Sequence, residues 1–141
     1  MQLDIVTPER RVHSLTSADV VLPCKVDSVT IPGLMGQFEV LPGHAPFVTM
    51  LGTGLLTFQI AGRKVDVMIS GGFCEVDRDS VNILCEKAAL KDEIERSVEE
   101  EAHTRYQREL AALGAVSEDD EGYQHLKSEV DRAATKLTLV K

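Results

Sequence analysis

The sequence predicts an α+β protein, in which an N-terminal antiparallel β-sandwich precedes a C-terminal antiparallel two-helix hairpin. All five prolines and eight of the ten glycines lie before residue 88, where they separate short apolar runs. After that point apolar residues recur every three or four positions, which is typical of amphipathic helices. We therefore expect a β-sandwich domain over residues 1–87 and a helical hairpin domain over residues 88–141.

The composition restricts the class of protein. Hydrophobic residues make up 43% of the 141 residues, but aromatic residues only 4%, so the core must consist mainly of Val, Leu and Ile. The net charge of −8 argues against a nucleic-acid binder and against a polybasic membrane-surface protein. We find no apolar run long enough for a transmembrane helix and no signal-peptide pattern at the N-terminus.

The three cysteines do not form a disulfide or metal-binding pattern. Cys24, Cys74 and Cys85 are odd in number, contain no CxxC pair and lie in apolar stretches. We interpret them as small hydrophobic residues in a reducing compartment and expect a cytosolic protein.

Turn signals divide the first part into about nine short strands. The predicted strands are residues 3–6, 19–22, 26–31, 37–41, 47–51, 55–60, 64–69, 73–76 and 80–85. The clearest hairpin joins 55–60 to 64–69 through Ala61 and Gly62. The similar stretches 19–22 and 27–31 are interpreted as two adjacent strands.

The second part begins with a predicted capping box, in which Asp92 is the N-cap and Glu95 the N3 residue. One apolar stripe follows as far as Leu113, and Gly114 predicts the end of the helix. A second helix is expected after residues 117–120. Since both stripes are narrow, the hairpin should be marginally stable unless it docks on the sandwich or on a partner.

A rigid corner is the most distinctive local feature. Its sequence is Leu41-Pro42-Gly43-His44-Ala45-Pro46. Each proline restricts itself and the residue before it, whereas Gly43 can turn at positive φ. We expect His44 at the tip of this corner, which would lose little entropy on binding a partner. An ordinary Pro-Gly turn is the alternative interpretation.

The sequence contains no convincing catalytic or metal-binding constellation. The four histidines lack metal-ligand spacing, and neither a G-x-S-x-G elbow nor a phosphate loop is present. Ser70-Gly71-Gly72 lies between two predicted strands, which favours close backbone packing or a bulge over a phosphate cradle. The residues alone therefore disfavour an enzyme, and we predict no metal site.

The corner motif, followed by Thr49 and by Ser70-Gly71-Gly72, resembles the epsilon subunit of F-type ATP synthases over nearly the whole chain. The resemblance implies a non-catalytic subunit of the central stalk, in contact with the gamma subunit, the c ring and the alpha and beta subunits of the catalytic head. Its role would be to couple proton translocation to ATP synthesis and to restrain ATP hydrolysis through the C-terminal helices. It would lie peripherally at the cytoplasmic face of a bacterial plasma membrane.

Partner-binding residues follow from the resemblance by position. They are Gln37, Pro42, Gly43, His44, Ala45 and Pro46. The corner and the loop over residues 33–37 would lie toward the c ring. Gln37 stands where many relatives have an acid, and Glu39 where they usually have glycine. Residues 11–25 form a longer segment than in typical relatives.

The resemblance also implies weak regulatory ATP binding, with no cofactor required. Some bacterial relatives bind ATP through a motif at the start of the first helix, and the matching positions here are Glu93 and Arg96, with Glu86 upstream. His103 stands where a second arginine would be expected.

Two other classes of function remain open from the residues alone. One is a stand-alone β-sandwich adaptor whose acidic helices bind a basic protein partner. The other is a small enzyme, which the lack of an acid, base and nucleophile set disfavours.

Overall fold

The computed structural model describes residues 1–12, 14–15, 20–114 and 117–140. Within them, thirteen strands are followed by one 3-10 helix and two α-helices. The strands are β1 (Gln2–Val6), β2 (Arg11–Val12), β3 (Ser14–Leu15), β4 (Val20–Val21), β5 (Cys24–Lys25), β6 (Ser28–Gly33), β7 (Gly36–Val40), β8 (Phe47–Met50), β9 (Thr53–Ile60), β10 (Arg63–Ser70), β11 (Phe73–Val76), β12 (Ser80–Leu84) and β13 (Lys87–Ala89). The 3-10 helix is Lys91–Glu93, α1 is Arg96–Ala112 and α2 is Glu121–Leu139.

Two sheets pack face to face as the predicted sandwich. The six-stranded sheet has the order β2-β1-β12-β11-β8, with β5 also paired to β1, and the five-stranded sheet has the order β13-β10-β9-β6-β7. The pairs are antiparallel except that β1 and β12 are parallel. β2 and β5 both pair with β1, and between them β3 and β4 form a separate two-stranded ribbon.

Aliphatic side chains fill the space between the sheets, as the composition predicts. Leu3 and Ile5 alternate with outward-facing residues along β1, and Leu56 and Phe58 do so along β9. All four are fully buried. This period of two is what a sheet with one buried face requires.

The β9–β10 hairpin confirms the clearest prediction. The prediction that 19–22 and 27–31 are adjacent strands is wrong for the described residues, which leave out residue 19. Ala61 and Gly62 both have positive φ, as a two-residue type I′ turn demands. β4 pairs with β3, while β6 pairs with β7 and β9. The additional strands β2, β3, β5 and β13 are two or three residues long, too short for a periodic signal.

The predicted capping box at Asp92 and Glu95 is also wrong. The chain forms a 3-10 helix before the extended residue Ile94, and α1 begins only at Arg96. The reason lies in Glu93, whose carboxylate accepts the Leu90 N–H at 2.8 Å and so closes the preceding turn.

The ends of the helices otherwise follow the sequence. Gly114 has φ of +68° just after α1. The Asp120 carboxylate caps α2 by accepting the Tyr123 N–H at 3.1 Å. α1 packs against α2, and α2 lies on β9 and β10, so the apolar stripes face each other and the hairpin is folded onto the sandwich.

The cysteines behave as expected from their apolar surroundings. Cys74 and Cys85 are buried, and Cys24 is half-buried. Burial raises the pKa of Cys74 to about 12 and that of Cys85 to about 11, so both are protonated thiols at neutral pH.

The Ser70-Gly71-Gly72 motif is a site of close backbone packing, and this gives a first testable prediction. A Cβ atom at Gly72 would meet the Leu84 carbonyl oxygen and lie 2.7 Å from the Cys85 Cα, whereas one at Gly62 would meet nothing within 4 Å. Both glycines have positive φ.

We expect Gly62→Ala to lower the free energy of unfolding by about 1–2 kcal/mol through backbone strain alone. Gly72→Ala should lower the free energy of unfolding clearly more than Gly62→Ala does. Urea denaturation measures both values, and equal losses in the two variants would contradict the packing role of Gly72.

Candidate partner-binding surfaces

The Pro-Gly corner connects β7 of the five-stranded sheet to β8 of the six-stranded sheet. The Gly43 N–H donates to the Arg78 carbonyl oxygen at 3.1 Å, and the φ of Gly43 is +81°, as predicted. The His44 side chain is half-buried, because its ring packs 5.1 Å from the ring of Phe47. Its Nδ1 lies 2.8 Å from the Ala45 carbonyl oxygen. The corner exposes Leu41, Pro42, Gly43, Ala45 and Pro46.

The β6–β7 tip, residues Leu34 and Met35, carries the second predicted contact. Met35 is 98% exposed, and Gln37 is exposed in β7 opposite Pro32. The five residues of β7 advance about 3.3 Å each, so the tip and the corner lie at opposite ends of this strand, roughly 15 Å apart. The structure does not bring the corner and the tip together, and the contact of either with a partner stays a prediction.

A row of apolar side chains crosses the outer face of the six-stranded sheet. Phe73 lies opposite both Met50 and Leu84, and Val6 continues the row opposite Leu84. Phe73 is 51% exposed, and Met50 and Leu84 are exposed to a similar extent. Single exposed apolar residues are ordinary, but a continuous row on four neighbouring strands is typical of an interaction surface.

The row continues into a groove at one side and reaches the β6–β7 tip at the other. The groove has a volume of about 390 Å³ and is lined by Val6, Thr7, Pro8, Gly72, Phe73, Leu84, Cys85 and Glu86. The Leu34 N–H donates to the Met50 carbonyl oxygen at 3.0 Å, which joins the tip to the row. We refer to Val6, Met50, Phe73 and Leu84 as the apolar face.

Sequence reasoning missed the apolar face, although a signal for it was present. Inward positions of β11 and β12 are apolar, as in any half-buried strand. Phe73 and Leu84, however, lie at outward positions, where a solvated sheet would carry polar residues. Apolar residues at outward-facing positions of neighbouring strands therefore indicate a covered face. Only the strand pairing, however, shows that these residues are adjacent.

Each of the three predicted nucleotide-binding residues forms an ion pair with a different residue. Arg96 pairs with Glu100 on α1 at 3.0 Å. Glu86 lies 3.4 Å from Arg132 of α2. Glu93 accepts two bonds of 2.6 Å from Arg10. These side chains are therefore engaged in ion pairs of the folded hairpin, and the ATP site stays a prediction.

The Arg10–Glu93 pair also changes the acidity of the carboxylate. The Arg10 guanidinium holds the pKa of Glu93 below its usual range. Because this pKa is lower in the folded state, the pair stabilises the fold above the usual glutamate pKa, and the contribution is lost as pH falls through the lowered value.

Two further kinds of site can be assessed in the described part of the chain. It holds no cluster of three or more His, Cys, Asp or Glu side chains suited to a metal ion. Neither of its α-helices has an apolar stretch long enough to cross a membrane.

Comparison with known proteins agrees with this architecture. Residues 1–91 match the family described as ATP synthase, Delta/Epsilon chain, beta-sandwich domain. The ATP synthase epsilon chain of Geobacter sulfurreducens is 35% identical over 137 residues, which cover 97% of this chain and 91% of that protein. The epsilon chain of Anaeromyxobacter dehalogenans is 37% identical over 139 residues, which cover 99% and 96%.

A solved structure shares the fold. A chain in the cryo-EM structure of the Euglena gracilis mitochondrial ATP synthase, OSCP/F1/c-ring, aligns with a TM-score of 0.75. It is 20% identical, and the alignment covers 99% of this chain and 80% of that one.

These matches define a β-sandwich protein of the ATP synthase delta/epsilon class. More particularly, the chain belongs to the epsilon-chain family of ATP synthases, whose members are non-catalytic subunits. The family inferred from the corner motif is thereby confirmed.

Weak ATP binding can be tested on the isolated protein. Because the ion pairs of Glu93 and Arg96 would have to open first, we expect a Kd of the order of 1 mM, about −4 kcal/mol. Calorimetric titration with Mg-ATP should detect this binding, and Arg96→Ala should remove it. Arg108→Ala, on the same helix, is the control. Equal heats from the two variants would show that Arg96 is not a nucleotide ligand.

Proposed function

We propose that this protein acts in the central stalk of an ATP synthase. There it couples proton translocation through the c ring to ATP synthesis and restrains ATP hydrolysis through its C-terminal helices. The observation that carries the proposal is the unequal cover of the two sheets. α2 lies on β9 and β10 of one sheet, whereas Met50, Phe73 and Leu84 on the outer face of the other sheet are about half exposed.

The gamma subunit is the partner that we propose for the apolar face. A rotor subunit must remain attached through many turnovers, and lasting interfaces are more apolar than transient ones. Phe73 and Leu84 provide a large apolar surface, and the groove beside them can receive a projecting side chain. The corner and Gln37 are proposed contacts with the c ring, which would hold the chain peripherally at the membrane through the complex.

The hairpin is the proposed regulatory element, because it is attached to the sandwich by a small contact. α1 has no buried residue, and α2 buries only Val130, Ala133 and Leu139. A hairpin held in this way can leave the sandwich and reach the alpha and beta subunits of the catalytic head. Residues 92–141 carry 13 acids and 7 bases, so the hairpin would take a net negative charge to that site.

Docking through the apolar face is testable by co-purification from detergent-solubilised membranes. The tagged chain should retain the gamma, c, alpha and beta subunits, as identified by mass. Phe73→Asp should abolish this retention, because it places a charge in the middle of an apolar interface. Val21→Asp is the matched control, since Val21 is equally exposed but lies on the separate β3–β4 ribbon.

Two outcomes would contradict the proposal. If Phe73→Asp retains the subunits as well as Val21→Asp does, the apolar face is not the docking surface. Recovery of the unaltered chain alone, from cells that make an ATP synthase, would refute the stalk function itself and favour an adaptor with acidic helices.

The regulatory role gives a separate prediction for a chain that ends at Glu95. This truncation keeps β13, and the main core lies entirely within the sandwich, so the remaining domain should fold. We expect assembly to persist and ATP hydrolysis by the assembled enzyme to increase, as measured by steady-state ATPase assay. Unchanged hydrolysis would limit the protein to a coupling role.

A further inference from the structure

The apolar contact between the hairpin and the sandwich is small. Its buried members are Met68 on β10, Ala89 on β13 and Leu139 on α2, with Leu55 and Ile94 packed at the margin. Because α1 packs on α2, the two helices can move as one unit and keep the contact between them. Departure of the hairpin therefore exposes little apolar surface, and its cost must depend largely on polar contacts.

Arg132 on α2 makes a polar contact across this boundary. Its Nε donates to the Ser70 hydroxyl at 2.9 Å, and that hydroxyl lies 2.7 Å from the Thr53 hydroxyl. A second guanidinium nitrogen lies 3.4 Å from Glu86, and a third donates to Glu129 on its own helix at 2.9 Å. The side chain is only 19% exposed, so these partners replace most of its hydration.

A second polar contact fixes the segment that leads into α1. Arg10 donates two bonds of 2.6 Å to Glu93 and a third of 3.2 Å to the Ala88 carbonyl oxygen. Arg10 is itself held in a tight turn, because its carbonyl oxygen accepts the Thr7 N–H at 2.7 Å. In the same turn, Glu9 accepts a bond from Lys87 at 2.9 Å.

We propose that these two contacts, Arg132 with Ser70 and Arg10 with Glu93, are latches that set how readily the hairpin leaves the sandwich. Each is a charge-assisted hydrogen bond between the sandwich and either α2 or the segment that leads into α1. The Arg132 latch acts on the docked helix, and the Arg10 latch acts on the segment about which the hairpin must turn. The proposal deepens the regulatory role proposed above, but its test does not depend on that role.

Amide hydrogen exchange of the full-length chain measures the opening directly. Loss of one charge-assisted bond should favour opening by about tenfold. We therefore expect Arg132→Ala and Glu93→Gln each to accelerate exchange about tenfold in α1, α2 and the segment between β13 and α1. Exchange in β1, β11 and β12 should stay unchanged, because these strands belong to the six-stranded sheet, whereas α2 packs on β9 and β10 of the other sheet.

Matched controls remove ion pairs that stay within one helix. Lys127→Ala breaks the pair with Asp131 on α2, and Glu100→Gln breaks the pair with Arg96 on α1. Both controls should exchange like the unaltered chain. Ser70→Ala removes the hydroxyl that accepts the Arg132 bond without altering the helix, and it should accelerate exchange in the same segments as Arg132→Ala does.

The proposal is overturned if the latch variants exchange like their controls. It is also overturned if exchange rises equally in all strands, because that pattern indicates general destabilisation. In the assembled enzyme, the latch variants should restrain ATP hydrolysis more strongly than the controls do. Failure of that readout alone, with faster exchange in the hairpin, would reject the regulatory role and leave the latches intact.

Discussion

The apolar layer between the two sheets is the constraint on which the rest of the structure depends. Fully buried aliphatic side chains from both sheets, such as Leu3 and Leu56, form one continuous core. That core fixes which residues of each strand face outward, because side chains alternate along a strand. The apolar face, the corner and the surface under α2 are therefore all positioned by the same buried layer.

The hairpin does not contribute buried residues to this core. Its contact with the sandwich forms a separate small cluster around Met68, and the charged contacts of Arg10 and Arg132 lie beside it. A large apolar interface would fix the hairpin permanently, whereas polar contacts can exchange their partners for water at modest cost. The division into a firmly packed sandwich and a lightly attached hairpin is what the proposed regulatory role of the hairpin requires.

Much of the fold was predictable because it rests on local signals. The period of two along β9 and β10, the Ala61-Gly62 turn and Gly114 at the end of α1 all act within a few residues. The class of protein was predictable for a similar reason, since the corner motif is contiguous. The predicted capping box is wrong because Glu93 accepts the Leu90 N–H and closes the preceding turn, and Arg10, which lies far away in sequence, holds the Glu93 carboxylate there. The shortest strands were not predicted because they form only by pairing with distant segments: β2 and β5 pair with β1, and β13 pairs with β10.

The sequence by itself thus determined the two-part architecture, the corner with positive φ at Gly43 and the family. Only the tertiary structure decided which surfaces lie together. Pairing of β8, β11 and β12 brings Met50, Phe73 and Leu84 into one row, and β7 separates the corner from the tip. The physical reason is that local propensities fix elements, whereas adjacency depends on strand pairing between residues distant in the chain.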